Sequence, residues 1–102
     1  MGFKAEFENG EVVDGLSEDR LFMMMGRMVN PGNSTIVIEP TGKEKWYVVI
    51  GLLDSGEYEV EFRDPRLNEH RVLSQSSKGE IALEVTIWLS EREGMYRRDR
   101  DV

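Results

Sequence analysis

Residues 57–63 alternate between charged and apolar side chains, and this short stretch constrains the fold more than any other part of the chain. Tyr58, Val60 and Phe62 occupy every second position, and charged side chains fill the positions between them. A period of two is typical of a β-strand with one buried face. Pro65 follows closely and ends the strand, since proline cannot donate to a sheet ladder. The chain must therefore build a sheet that has one apolar face.

Other segments predict further strands and the turns between them. Strands are predicted at residues 3–7, 11–14, 35–39, 45–53 and 69–74. The run 45–53 is apolar at both alternate sets of positions, which predicts a central strand covered, at least in part, on both faces. Asn9-Gly10 is a strong hairpin signal, because both residues tolerate a positive φ. Short connections between the later strands favour an antiparallel meander.

Two amphipathic segments predict helices. The first begins after Ser17, a natural N-cap, and stops at Asn30-Pro31-Gly32. The second opens with Ser77 and Glu80 in capping-box spacing and ends at Gly94. The apolar stripes predicted to face the core are Leu21, Met24, Met25 and Met28 on the first helix, and Ile81, Val85, Trp88 and Leu89 on the second.

These elements predict an α+β fold in the order β(β)αββββα. The sheet is mainly antiparallel with four to six strands, and both helices pack on one of its faces. One domain is expected over residues 1–94, followed by a charged C-terminal tail at 95–102 that frays.

Composition narrows the function classes. The chain has 102 residues, no cysteine and a formal charge of −7. Affinity for nucleic acid depends on Lys and Arg at phosphates, so nucleic acid is not an expected partner, whereas a basic protein is. The longest apolar run, residues 46–53, is far shorter than the roughly 20 residues that cross a bilayer. With no apolar leader segment at the N-terminus, a cytoplasmic location without membrane contact is expected.

No residue pattern indicates catalysis. His70 is the single histidine, and it lies in a predicted strand with no nucleophile near it in sequence. We interpret it as a surface or edge residue. One histidine and no cysteine do not make the usual zinc sites, and the glycines fall mostly at turns and helix ends rather than in a phosphate-binding loop. We predict no catalytic residues, no metal site and no cofactor. An enzyme that uses a pair of carboxylates is a distant alternative for which no pair can be named.

The charged positions between the apolar residues of 57–63 must face away from the helices, because side chains alternate along a strand. We interpret this face as a docking surface for a cationic protein, with one aromatic anchor and carboxylates that steer the partner. The predicted partner-binding residues are Tyr47, Asp54, Glu57, Glu59, Glu61 and Asp64. The alternative is a solvated face whose charges only aid solubility and resist edge pairing.

A second candidate surface comes from apolar helix residues that lie off the two stripes. These are Met23, Leu83 and Ile87. Helices packed side by side could absorb them, and so could a homodimer or another partner. The chain is therefore expected to be a monomer or a homodimer.

The layout as a whole resembles the small immunity proteins of bacterial polymorphic toxin systems. The segments that carry the resemblance are Leu16–Leu21, Trp46–Gly51, Tyr58–Asp64 and Ala82–Glu93. The resemblance implies a cytosolic, non-catalytic inhibitor that binds a cognate toxin and blocks its active site or substrate entry. Many such toxins are basic, which suits an acidic inhibitor. The alternative is a regulatory or self-dimerising interaction module that uses the exposed helix residues.

Overall fold

A computed structural model describes the backbone of residues 2–100 and the side chains of residues 2–93. The strands are β1 (Phe3–Phe7), β2 (Val12–Asp14), β3 (Thr35–Pro40), β4 (Tyr47–Leu52), β5 (Tyr58–Asp64) and β6 (Glu69–Gln75). The helices are α1 (Glu18–Gly26) and α2 (Lys78–Arg100), and a 3-10 turn (Pro65–Leu67) joins β5 to β6. This order confirms the predicted α+β fold.

All six strands form one antiparallel sheet in the spatial order β2-β1-β3-β4-β5-β6. Strands β3 to β6 are a meander, because each short connection returns the chain beside the strand it has just left. Helix α1 carries the chain from β2 at one edge across β1 to β3. The two edges of the sheet differ, since β2 has three residues and β6 has seven.

The core lies between the sheet and the two helices, which pack side by side on the same face. Alternate residues of the four inner strands are buried there, and each such side chain of Val or Ile size contributes about 1.5–3 kcal/mol by leaving water. The buried strand residues include Ala5, Phe7, Ile36, Ile38, Val48, Ile50, Val60 and Phe62. The apolar stripes predicted for both helices are buried against them.

Helix α1 begins where the sequence predicts and ends earlier. The Ser17 hydroxyl accepts a hydrogen bond from the backbone N–H three residues later, at 3.2 Å, as an N-cap does. The last helical residue is Gly26, so the predicted stop at Asn30-Pro31-Gly32 is four residues too late. The chain leaves the helix in a tighter turn, because the N–H groups of Arg27 and Met28 donate to the carbonyls three residues back, at 3.0 and 3.2 Å.

The β1–β2 hairpin is tied to the end of α1. Its turn contains Gly10 at a φ of +94°, in agreement with the predicted Asn9-Gly10 hairpin. Arg27 Nη2 lies 2.6 Å from Glu11 Oε1, and Nη1 lies 3.1 Å from Oε2. These charge-assisted hydrogen bonds hold the pKa of Glu11 below its ordinary value.

Helix α2 opens on Ser77, whose Oγ accepts a hydrogen bond from the N–H of Glu80 at 3.3 Å. The helix continues through Gly94 to Arg100, so the end predicted at Gly94 is wrong. A glycine inside a helix costs only about 1 kcal/mol, and the Met and Arg residues that follow are good helix formers. The boundary at 94 between domain and tail stays a prediction. The side chains of the predicted tail, and residues 101 and 102, lie outside the described residues.

Candidate functional site

One face of the sheet, here called the open face, is covered by neither helix in the described part of the chain. Along β4, Val48 and Ile50 are buried beneath the helices, whereas Tyr47 and Val49 on the other side remain half-buried. This agrees with the prediction of a central strand that is covered, at least in part, on both faces. Both helices pack on one side, and the open-face side chains are shielded only by their neighbours in the sheet.

The register of the strands aligns side chains from neighbouring strands in one row across the open face. Val37 of β3 lies opposite Val49 of β4, and its other neighbour is Glu6 of β1. Val49 in turn faces Glu61 of β5. Residues directly opposite on one face have Cβ atoms about 5 Å apart, so the row is continuous. It crosses all six strands and consists of Val12, Glu6, Val37, Val49, Glu61 and Val72. Val37 and Val49 are therefore an adjacent apolar pair in the middle of the sheet, with a glutamate on each side.

Carboxylates outnumber fixed cations on this face. The carboxylates on the strands are Glu6, Asp14, Glu39, Glu59 and Glu61, and the fixed cations are Lys4 and Arg63. Lys4 lies between Asp14 and Glu39 on the neighbouring strands, and Arg63 Nη1 donates to the carbonyl of Glu69 at 2.9 Å. The remaining acidic charge surrounds the pair of Val37 and Val49. Such an arrangement attracts a cationic partner and offers it an apolar contact.

A shallow depression of about 570 Å³ lies on the open face between β1 and β3. Three carboxylates, those of Glu6, Glu8 and Glu39, line it together with Val37 and Thr35. Glu8 is held in place, because its Oε1 accepts from the N–H of Ser34 at 2.8 Å and from the Ser34 hydroxyl at 3.1 Å. An Arg or Lys side chain could lay its aliphatic stem on Val37 and direct its charge to these carboxylates.

Glu61 links three strands of the open face. Its Oε2 lies 2.8 Å from His70 Nε2 on β6 and 3.5 Å from the hydroxyl of Tyr47 on β4. His70 is about half exposed and lies on the edge strand, as the sequence predicts for it. The contacts fix the carboxylate next to Tyr47, so the proposed aromatic anchor and its steering charge form one cluster.

The structure brings most of the predicted partner-binding residues together. Tyr47, Glu59 and Glu61 are neighbours on the open face. Asp54 and Glu57 are exposed at the β4–β5 turn, at one end of that face. Asp54 Oδ1 also accepts from Asn30 Nδ2 at 2.9 Å, which anchors the turn.

Asp64 is a correction, because it does not belong to this surface. Its side chain is 2% exposed and lies on the helix side of β5. Asp64 occupies the same alternate set of positions as Tyr58, Val60 and Phe62, and this spacing could have placed it inside from the sequence. Arg92 of α2 donates to Asp64 Oδ2 through Nε at 3.1 Å, forming a buried ion pair.

Sequence reasoning missed Val37 and Glu39 as parts of the open face. The alternation of buried and less buried positions along β3, with Ile36 and Ile38 inside, could have identified them. It also missed Arg92, which is 3% exposed and stacks over Trp88 with its guanidinium carbon 3.6 Å from the ring centroid. An arginine near the end of an amphipathic helix gives no signal that separates a buried ion pair from a solvated charge.

The predicted helix facet is exposed. Met23 is 68% exposed on α1, and Leu83 and Ile87 are 48% and 53% exposed on α2. Phe22 adds a fourth large apolar side chain at 47%. These exposed residues belong to the two helices, whereas the open face belongs to the side of the sheet that neither helix covers.

The comparisons with known proteins do not assign this chain to a family. No protein-family model matches it, and neither the curated proteins nor the solved structures include a match. Over the described residues, neither helix combines the length and the apolar character required to cross a membrane. Within that same part of the chain, no group of three or more His, Cys, Asp or Glu side chains is placed to hold a metal ion.

Proposed function

We propose that this chain is a non-catalytic, cytoplasmic inhibitor of the immunity type, which binds a basic protein through the open face of its sheet. The observation that carries the proposal is the adjacent pair of Val37 and Val49, flanked by Tyr47 and by carboxylates, on a face that neither helix covers. The immunity assignment, and with it a bacterial toxin as the partner, rests on the resemblance of the sequence segments described above.

Charge and apolar contact have separate roles in this proposal. The carboxylates raise the rate of encounter with a cationic partner and fix its orientation. Val37, Val49 and Tyr47 provide the area that leaves water in the complex and therefore determine how slowly the partner dissociates. A side chain that is already half-buried in the free protein also loses less conformational freedom on binding.

The test uses the protein encoded next to this chain on its genome, since toxin and immunity genes are expected to be neighbours. We expect Glu57→Lys with Glu59→Lys to weaken its binding at least tenfold at low salt, measured by calorimetry. Exposed ion pairs contribute up to about 1 kcal/mol each, and reversal replaces attraction by repulsion. Glu18→Lys with Glu91→Lys changes the net charge equally outside the open face and should leave the affinity nearly unchanged. Equal losses from both pairs would contradict a localised docking surface.

A second candidate function is a self-dimerising or regulatory module that uses the helix facet. Its specific support is the exposure of Phe22, Met23, Leu83 and Ile87. Two matched substitutions separate the candidates, because each places a carboxylate in one apolar surface. If the open face binds the partner, Val49→Asp should abolish partner binding and Ile87→Asp should leave it unchanged. The helix module predicts the reverse, together with a dimer in light scattering that Ile87→Asp dissociates.

A further inference from the structure

The two edges of the sheet are not equally protected against pairing with a further strand. β2 has three residues, whereas β6 has seven and pairs with β5 at each of them, from Glu69 to Gln75, without a bulge. Proteins commonly protect an edge by keeping the strand short or by giving it a bulge, a proline or a lysine. β6 has none of these features, and no other strand of the described chain lies on its outer side.

The direction of the hydrogen bonds along the sheet shows which residues of β6 face outwards. The N–H of Leu52 donates to the carbonyl of Ser34, on the β3 side of β4. The N–H of Leu53 donates to the carbonyl of Glu57, on the β5 side. Successive residues of an antiparallel strand direct their backbone groups to opposite sides, and the register carries this alternation from β4 through β5 to β6. The residues of β6 whose N–H and C=O groups consequently point away from β5 are His70, Val72 and Ser74.

These three residues offer an open row of backbone donors and acceptors. All three are exposed, and Val72 in the middle is 53% exposed. Each carries one N–H donor and one C=O acceptor. Within the described part of the chain, the outward-facing groups take part in no hydrogen bond. A further strand can therefore pair with them without breaking a contact that the protein already makes.

The ring of His70 and the guanidinium of Arg71 are held by the chain's own residues. His70 Nε2 lies 2.8 Å from Glu61 Oε2 on the neighbouring strand. Arg71 Nη1 lies 2.8 Å from Glu84 Oε1 on α2, and its guanidinium carbon lies 4.5 Å from the centroid of the Phe62 ring. Both side chains therefore turn back towards the protein, and neither shields the backbone in the middle of the edge.

We propose that β6 pairs with β6 of a second copy of this chain, in antiparallel orientation about a two-fold axis beside Val72. Val72 then faces Val72 of the second copy, and His70 faces Ser74 of the second copy on both sides of the axis. Each of these three pairs exchanges two hydrogen bonds, so every outward-facing group gains a partner. A register shifted by two residues places Asn68 or Ser76 opposite an outward-facing residue, and neither belongs to β6.

The strand suits a second copy of itself because this register opposes no two like charges. On the helix side of the sheet, Glu69 faces Gln75 of the second copy, and Arg71 faces Leu73 of the second copy. On the other side, the two exposed Val72 side chains meet across the axis and cover each other. The axis is perpendicular to the sheet, since directly opposite residues lie on the same face. The open faces of both copies therefore lie on one side of the joined sheet and remain uncovered.

Sedimentation velocity of the native chain measures the self-association without any protein partner. Pairing of two edge strands buries a small interface, so we expect a Kd of about 10 μM. The mass should be twice 11.8 kDa at about 0.5 mM and a single 11.8 kDa at about 1 μM. Salt at about 0.3 M screens the repulsion between two chains of charge −7. A chain that stays monomeric at about 0.5 mM would overturn the proposal.

Proline substitutions test which edge is used. Val72→Pro removes an N–H that points away from β5, so the ladder within the sheet stays intact, and the Kd of the dimer should rise at least tenfold. Val12→Pro is the matched control, because the bond from the Phe7 N–H to the Glu11 carbonyl directs the Val12 N–H outwards at the opposite edge. It should leave the Kd unchanged. Equal losses from the two variants, or a dimer that survives Val72→Pro as one formed through the exposed helix residues would, contradict the proposal.

Cysteine substitutions test the register and leave the backbone of β6 intact, in a chain that has no cysteine of its own. Val72→Cys places two thiols at directly opposite positions, where the Cα atoms lie about 5.5 Å apart, a distance that a disulfide bridges. Ser74→Cys places them four residues apart along the strands, at about 14 Å. Under mild oxidation, Val72→Cys should form the intermolecular disulfide at least tenfold faster than Ser74→Cys, and equal rates would overturn the register.

The self-association and the proposed docking surface are tested separately. Sedimentation and disulfide formation require only this chain, so their failure would leave the docking surface untouched. Loss of partner binding in the open-face variants would in turn leave the dimer through β6 in place.

Discussion

Removal of the Asp64 carboxylate should destabilise the protein more than any single change on the open face. Arg92 is 3% exposed, and three of its contacts hold it: Nε to Asp64 Oδ2 at 3.1 Å, Nη2 to Glu69 Oε1 at 2.6 Å, and Nη1 to the carbonyl of Trp88 at 3.2 Å. Asp64→Leu leaves the buried guanidinium with Glu69 and with the exposed Glu91, whose Oε1 lies 3.6 Å from Nη1, and removes the one carboxylate that is itself fully buried. Breaking a buried ion pair on one side costs about 3–5 kcal/mol, and the surviving Glu69 contact puts the expected value near the lower end, at about 3 kcal/mol.

That loss is a large part of the total, since domains of this size have about 5–15 kcal/mol of stability. Equilibrium unfolding in urea, followed by circular dichroism, measures it directly. Glu59→Leu is the matched control on the same strand, and as an exposed substitution it should change the free energy of unfolding by less than about 0.5 kcal/mol.

The double variant Asp64→Leu with Arg92→Met tests the reason for the loss. When both charges are replaced by apolar groups of similar volume, no charge is left buried without a partner, and most of the stability should return. A single variant that loses less than about 1 kcal/mol would show that the Arg92 guanidinium is not buried as described. A double variant no more stable than the single one would refute the argument from uncompensated charge.

Two further predictions concern a helix end and a buried hydroxyl. Ser17→Ala should cost about 1 kcal/mol, because the N-cap acceptor is lost, whereas Ser90→Ala on the exposed surface of α2 should cost nothing in the same urea titration. Burial raises the pKa of Tyr58 above its ordinary value of about 10, so the stability linked to it is present below pH 10 and is lost as the pH rises further. Tyr58→Phe removes the hydrogen bond that the Tyr58 hydroxyl donates to the carbonyl of Met25, at 3.4 Å, and should be less stable than the native chain at pH 7 by up to about 1 kcal/mol. The difference should shrink when unfolding is measured above pH 10, and a difference that grows there would be inconsistent with a buried hydroxyl.

The sequence was sufficient for the fold because each element carries its own local signal. The alternation at Tyr58, Val60 and Phe62 predicts a one-sided strand, and Ser17 predicts the start of α1, without knowledge of any tertiary contact. The predicted ends of elements were wrong where the energetic preference of one residue is small compared with the hydrogen bonding and packing around it. Gly94 was taken as the end of α2, but the cost of one helical glycine is small beside the continuous hydrogen bonding of a long helix.

The candidate sites were less accessible to sequence reasoning. Acidic character predicted the open face, but the placement of Val37 beside Val49 and between two glutamates depends on the register of four strands, which no single segment encodes. Asp64 was placed outside because acidic residues are usually exposed, and the buried Arg92 that pairs with it is 28 residues away in sequence.

Site-specific labelling tests the central claim most directly, because the chain has no cysteine and each introduced thiol is unique. Val37→Cys places one on the open face, and Leu83→Cys places one on the exposed side of α2. The alkylation rate of each thiol is measured with and without the protein encoded by the neighbouring gene. Docking on the open face predicts that the partner slows labelling at position 37 at least tenfold and leaves position 83 unchanged. Protection at position 83 with free labelling at position 37 would contradict the account.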